Sequence, residues 1–105
     1  MITVQVVPRS GRDAYKLLRD KVTHEAQTWS WANKAKTKLS HLGRDRGYIS
    51  VSSADNVLTA QIYPKEADPY FLTEKFIGRL VAWFESDLFA INIQFIPDEK
   101  PKKKR

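Results

Sequence analysis

The stretch SGRDAYKLLRDKVTHEAQTWSWANKAKTKLSHLG, residues 10–43, decides how the rest of the chain is interpreted. Ser10 with Asp13 three residues later has the spacing of a helix N-terminal cap, and Gly43 is the residue type that commonly follows a helix end. Between them, apolar residues recur every three or four positions, as on one face of an α-helix. They are Leu18, Val22, Ala26, Trp29, Ala32, Ala35, Leu39 and Leu42. The pattern predicts one unusually long helix over residues 11–42.

Four shorter segments around this helix alternate between apolar and polar residues, which predicts half-buried β-strands. They cover residues 2–7, 48–52, 57–63 and 89–96. A second amphipathic helix is predicted over residues 69–86, because an Asp-Pro pair precedes a wide apolar stripe. The turn composition of Ser53–Asn56 predicts that the second and third strands form a hairpin through about four residues.

The predicted order is β-α-β-β-α-β, which resembles the ferredoxin-like arrangement. The resemblance is one of layout, and it implies an α+β two-layer sandwich with a four-stranded antiparallel sheet in the order 4-1-3-2 and both helices on one face. Residues 1–97 are expected to form a single α+β domain, and residues 98–105 a flexible basic tail. The predicted core is Val4, Val6, Leu18, Val22, Trp29, Leu39, Ile49, Val51, Leu58, Ile62, Phe76, Leu80, Phe84, Ile91, Ile93 and Phe95.

The charge of the chain is positive and unevenly distributed. The formal net charge is +6; residues 9–46 hold ten Lys/Arg and four Asp/Glu, residues 47–96 hold three and six, and residues 97–105 hold five and two. In the predicted topology the end of the first helix, the loop after it and the tail meet at one edge of the sheet. Such a convergence is typical of proteins with an anionic partner, although a solubilising surface explains it equally well.

The predicted outward face of the sheet is uncharged and carries two tyrosines at the basic edge, Tyr48 and Tyr63. Because proteins that recognise RNA stack bases on aromatic residues of a sheet, the sequence favours a small non-enzymatic nucleic-acid-binding protein, for RNA or DNA, with little sequence specificity. The predicted nucleic-acid-binding residues are Lys34, Lys36, Lys38, Arg44, Arg46, Tyr48, Tyr63, Lys100, Lys102, Lys103, Lys104 and Arg105.

Two other functions stay open at this stage. The first is a homodimeric protein-interaction or structural module, using the uncharged sheet face or an exposed helix line through Leu17 and Trp31. The second is a metal-independent nuclease built on His41 and Asp45, disfavoured because a lone histidine near a helix end commonly interacts with the helix dipole. The sequence has no cysteine and no metal-ligand spacing, so we expect no cofactor, no metal and no small-molecule substrate.

The N-terminal residues lack the pattern of a signal peptide, and no apolar run is long enough to cross a membrane. We therefore expect a cytoplasmic protein without a membrane partner. The string Lys102-Lys103-Lys104-Arg105 has the composition of a nuclear import signal, which would apply in a eukaryote.

Overall fold

The computed structural model describes residues 1–42, 47–65 and 69–97. Within these residues six strands form one sheet: β1 (Ile2–Pro8), β2 (Trp29–Trp31), β3 (Lys38–His41), β4 (Gly47–Ala54), β5 (Val57–Pro64) and β6 (Leu88–Phe95). The two helices are α1 (Ala14–His24) and α2 (Tyr70–Phe84), and a 3₁₀ turn, Glu85–Asp87, follows α2.

The strand order is β2-β3-β4-β5-β1-β6, and every neighbouring pair is antiparallel. The prediction of a four-stranded ferredoxin-like sheet is therefore wrong. The four strands expected from the sequence are present, but a hairpin of β2 and β3 follows α1 and extends the sheet beyond β4.

The long first helix is also wrong, because α1 ends at His24. Its N-cap is Asp13 rather than Ser10, and the Asp13 carboxylate accepts hydrogen bonds from the backbone N–H groups of Tyr15 (3.1 Å) and Lys16 (3.2 Å). After His24 the chain enters Thr28-Trp29-Ser30-Trp31, which contains residue types that favour strands over helices. Gly43, the expected helix end, lies outside the described residues.

The hydrophobic core lies between the two helices and one face of the sheet. Val4, Ala60 and Val51 are opposite one another in β1, β5 and β4, and all three are buried. Trp29 is buried too, although it lies on a strand, and its ring contacts His41 and Phe76 edge-on at centroid distances of 4.9 and 6.2 Å. Most of the predicted core is thus buried, including the residues whose secondary structure was predicted wrongly.

The prediction of a buried β6 is wrong over its second half. Ile93 is 42% and Phe95 75% exposed, and Ile91 is only partly buried. β6 is an outer strand, and α2 packs over the other part of the sheet, against β4 and β5 and through ring contacts with Trp29 of β2 and His41 of β3. The apolar alternation of β6 is therefore real, but no helix covers its end within the described part of the chain.

The β4–β5 hairpin turns through two residues rather than four. Asp55 and Asn56 both have positive φ angles, 54° and 69°, as a two-residue turn of type I′ requires. Ala54 therefore pairs with Val57, where the predicted turn paired Ser52 with Val57. This shift of two residues keeps every side chain on its expected face but changes which residues are neighbours.

Candidate nucleic-acid interface

The face of the sheet opposite the helices carries polar, uncharged side chains over most of its width. The register places its residues in rows that cross the strands, such as Ser50, Gln61, Thr3 and Gln94. No Asp or Glu occurs at the described positions of this face within the strands. The face therefore offers hydrogen-bond donors and acceptors without repelling an anion.

Two tyrosines stand side by side on this face. The corrected register puts Tyr48 of β4 directly opposite Tyr63 of β5, and their rings stack with centroids 5.0 Å apart and planes 22° apart. The Tyr63 hydroxyl donates to Gln61 Oε1 over 3.2 Å. Each ring keeps one face turned away from the other tyrosine, so the pair presents a stacking surface in a fixed orientation.

Gly47 allows the two strands to come together at this point. Its φ angle is +106°, and a Cβ atom at this position would collide with the carbonyl oxygen of Tyr63. Only glycine combines this backbone conformation with so close an approach. The residue before Tyr48 thus helps to determine how the tyrosine pair is placed.

Lys38 adds a positive charge next to the tyrosines. It pairs with Ser50 across β3 and β4, and its Nζ lies 5.1 Å from the centroid of the Tyr48 ring. This distance is within the range of a cation–π interaction. The sequence prediction assigned Lys38 to a helix, and the signal that it missed is the two-residue alternation of Lys38-Leu39-Ser40-His41, in which only Leu39 is fully buried.

A second polar contact occupies the other half of the face. Asn92 Nδ2 donates to Gln5 Oε1 over 3.1 Å, across β6 and β1. Between the two halves, Thr3 is only 6% exposed although it lies on the outer face. Sequence reasoning named neither amide as a site residue, although the alternation of β1 and β6 does place them on this face.

Lys34 and Lys36 do not lie where the sequence predicted them. Both lie in the turn between β2 and β3, and not in the last turns of a helix. Lys36 adopts a positive φ of 58°, and its carbonyl oxygen accepts a 2.9 Å hydrogen bond from the hydroxyl of Tyr15 in α1. Among the described lysines of this segment, Lys38 is the one that the structure places against the tyrosine pair.

The remaining predicted site residues lie outside the described residues: Arg44, Arg46, Lys100, Lys102, Lys103, Lys104 and Arg105. The described positions next to these segments are the start of β4 and the end of β6. Gly47 pairs with Pro64, and Ile2 pairs with both Ile62 and Phe95, so β4 begins and β6 ends at the same end of the sheet. Three strand spacings, about 14 Å, separate β4 from β6.

His41, the candidate for the nuclease alternative, lies in an aromatic cluster. Its ring packs edge-on against Trp29 and against Phe71, at centroid distances of 4.9 and 5.3 Å. It is half-buried on the helix side of the sheet, away from the tyrosine pair. Asp45 lies outside the described residues. The histidine is thus placed as a packing residue.

The helices form a groove with a cavity volume of about 620 Å³ between α1 and the end of α2. Trp83 and Leu17 contribute apolar surface to it, and an ion pair of 2.9 Å between Arg12 and Asp87 lies among its lining residues. Lys21 pairs with Glu25 over 2.8 Å and lowers the pKa of that carboxyl by hydrogen bonding and by its charge. In the described part of the chain, no group of His, Asp and Glu residues could hold a metal ion.

Leu17 and Trp31 do not lie on one helix line as predicted, because Leu17 belongs to α1 and Trp31 to β2. Both side chains are partly buried and pack against the core, and Trp31 Nε1 donates to the carbonyl oxygen of Arg19 over 3.5 Å. None of the described helices is both long and apolar enough to span a membrane.

No protein-family model, no curated protein and no solved structure matches this chain.

Proposed function

We propose that the chain is a small non-enzymatic protein that binds single-stranded nucleic acid on the outer face of its sheet. The observation that carries the proposal is the stacked pair Tyr48–Tyr63 with Lys38 beside it, on a face whose described strand positions carry no carboxylate. Base stacking needs an aromatic ring held in place, and the neighbouring phosphate needs a cation within a few ångströms. This group supplies both.

In this proposal the two sides of the tyrosine pair have different roles. The Lys38 ammonium lies over Tyr48, so this side binds a phosphate. Tyr63 is held by Tyr48 on one side and by its hydroxyl contact to Gln61, and its other ring face receives an unpaired base. The amides of Gln61, Gln5 and Asn92 offer both donors and acceptors, which suits contacts to any base and predicts little sequence preference.

The basic segments would contribute affinity rather than selectivity. In the sequence, residues 44–46 precede β4 and residues 98–105 follow β6. β4 begins and β6 ends at the end of the sheet where the tyrosine pair lies. The two segments contain Arg44, Arg46 and the lysine-rich string. Lysine and arginine side chains that neutralise phosphates release counterions, so binding weakens as salt rises. We therefore expect the affinity to fall steeply as the salt concentration rises. The part of the affinity that base stacking contributes should not depend on salt.

A titration with single- and double-stranded RNA and DNA, at two salt concentrations, tests the proposal by fluorescence anisotropy. Tyr63→Leu removes the ring but keeps an apolar strand residue, and it should weaken single-strand binding by roughly 5- to 150-fold, the equivalent of about 1–3 kcal/mol. Tyr63→Phe is the matched control, because it retains the ring, and its affinity should stay close to that of the wild type.

Two further variants separate the electrostatic term. Lys38→Gln should reduce the slope of log affinity against log salt by about 0.7, the value for one phosphate contact on a single strand. Truncation after Pro97 should flatten the slope further and leave the Tyr63→Leu effect unchanged. If the full chain binds none of the four ligands at low salt, or if Tyr63→Leu binds as the wild type does, the proposal is wrong.

A further inference from the structure

The strand β6 has a long outer edge without charges. In the sheet order it has one neighbour, β1, and no charged residue occurs from Leu88 to Pro97. At the opposite edge β2 is only three residues long. Native proteins usually protect a long outer strand from pairing by charge, proline, shortness or a covering segment. Within the described residues, β6 has none of these along Ala90–Phe95.

The exposed side chains of β6 are large and apolar. Ile93 pairs with Val4 and Phe95 with Ile2, so both side chains lie on the helix side of the sheet. They are nevertheless exposed, because α2 packs over the opposite part of the sheet, against β2 to β5. Phe89, next to the irregularity in the β1–β6 ladder, is 74% exposed. The edge thus carries apolar side chains of the kind found in interfaces.

The backbone of these residues is oriented toward the edge. Met1 and Ile96 exchange two backbone hydrogen bonds of 2.8 Å, in which each N–H donates to the other residue's carbonyl oxygen. Hydrogen-bonded and non-hydrogen-bonded pairs alternate along an antiparallel ladder. Gln94 and Asn92 therefore also direct their N–H and C=O groups toward β1. Ile93 and Phe95 direct theirs away from it, toward the outer edge.

The sequence of the strand is nearly symmetric about Asn92. It reads Phe89-Ala90-Ile91-Asn92-Ile93-Gln94-Phe95. If a second copy approached antiparallel with a two-fold axis at Asn92, Ile91 of each copy would oppose Ile93 of the other, within the regular part of the strand that lies beyond the irregularity at Phe89. Ile91 and Ile93 both direct their backbone groups outward, so this register also makes the hydrogen-bonded pairs.

We propose that two copies of this chain pair antiparallel along β6, about a two-fold axis at Asn92, and join their sheets into one continuous sheet. A two-fold interface requires a surface that is complementary to itself, and the symmetric strand supplies one. The uncharged strand also avoids repulsion between like charges at the point of contact, in a chain whose net charge is +6.

The small size of the interface and the charge of the chain determine its strength. A pair of edge strands buries less area than a standard stable interface. We therefore expect the dimer to form at protein concentrations of roughly tens to hundreds of micromolar. Because both copies are positive, added salt should strengthen the association by screening their repulsion. Nucleic-acid binding should respond to salt in the opposite direction, so the two proposals can fail independently.

Sedimentation velocity over a concentration series tests the association. The mass should rise from 12.1 kDa to twice that value as the concentration increases, and Ile93→Lys should abolish the rise by placing like charges at the edge. Leu42→Lys is the matched control, because Leu42 is an exposed apolar residue that follows β3 on the far side of the sheet. A wild-type chain that remains monomeric, or an equal loss in Leu42→Lys, would overturn the proposal.

Cysteine substitutions test the register, since the chain contains no cysteine of its own. In the proposed pairing the two Asn92 residues form a non-hydrogen-bonded pair, with Cα atoms about 4.5 Å apart, which suits a disulfide. Asn92→Cys should therefore give a covalent dimer on mild oxidation. Gln94→Cys lies on the same face but would be displaced from its copy by about 14 Å along the strand, and it should cross-link at least roughly tenfold more slowly. Equal rates would contradict the register.

Discussion

Asn33 lies in the turn between β2 and β3. Replacing it with alanine should change the free energy of unfolding in opposite directions depending on whether this segment is a hairpin or a helix. Its Oδ1 accepts backbone hydrogen bonds from Thr37 and Lys38, both of 3.0 Å, and its Nδ2 donates to Thr37 Oγ1 over 2.8 Å. A neutral hydrogen bond contributes a net 0.5–1.5 kcal/mol. Since the turn is partly exposed, losing all three should lower the free energy of unfolding by about 1.5–3 kcal/mol.

A helical chain would respond in the opposite direction. If residues 11–42 were one helix, Asn33→Ala would introduce a better helix former and raise the free energy of unfolding by a few tenths of a kcal/mol. Urea denaturation monitored by tryptophan fluorescence, with linear extrapolation to zero urea, resolves the difference.

Lys36→Gly is the companion variant, and its effect also differs in sign. Lys36 has a φ of 58°, a left-handed conformation that disfavours residues with a side chain. In the hairpin, glycine should therefore raise the free energy of unfolding by about 0.5–1 kcal/mol, after allowance for its greater freedom in the unfolded state. In a helix interior it would lower that energy by about 1 kcal/mol. A stabilising Asn33→Ala together with a destabilising Lys36→Gly would refute the six-stranded sheet.

Three further predictions concern stability and titration. Trp29→Ala should lower the free energy of unfolding by about 3–5 kcal/mol in urea denaturation, because a side chain that is only 2% exposed leaves a cavity; a loss below about 1 kcal/mol would contradict its burial. Gly47→Ala should lower it by about 2–4 kcal/mol, since the methyl group meets the Tyr63 carbonyl at a positive φ, and near-wild-type stability would contradict that close approach. Lys21→Ala should raise the pKa of Glu25 toward its ordinary value in an NMR titration. Because Lys21 lowers the pKa of Glu25 in the folded state, the ion pair contributes to the free energy of unfolding above the unfolded-state pKa of Glu25. This contribution is lost as the pH falls through the folded-state pKa. An unchanged titration of Glu25 in Lys21→Ala would contradict the ion pair.

The sequence alone determined most of the buried side chains and the positions of most strands. Trp29 and Leu39 were predicted to be buried and are buried, although the prediction placed both on a helix. Strand periodicity likewise put Tyr48 and Tyr63 on the outer face, because a shift of two residues in a hairpin leaves each side chain on its original face.

Only the tertiary structure decided that residues 29–41 form a hairpin, which strands pair with one another, where α1 ends, and which part of the sheet α2 covers. An alternation over three residues, as in β2, is too short to be distinguished from a helical period, and the pairing of Trp31 with Leu39 and of Leu39 with Ile49 resolves it. In the same way, the alternation of β6 predicts an apolar face, but the exposure of Phe95 depends on where α2 ends up in space. Local patterns report what a residue prefers to contact, whereas burial depends on which distant segment is there to be contacted.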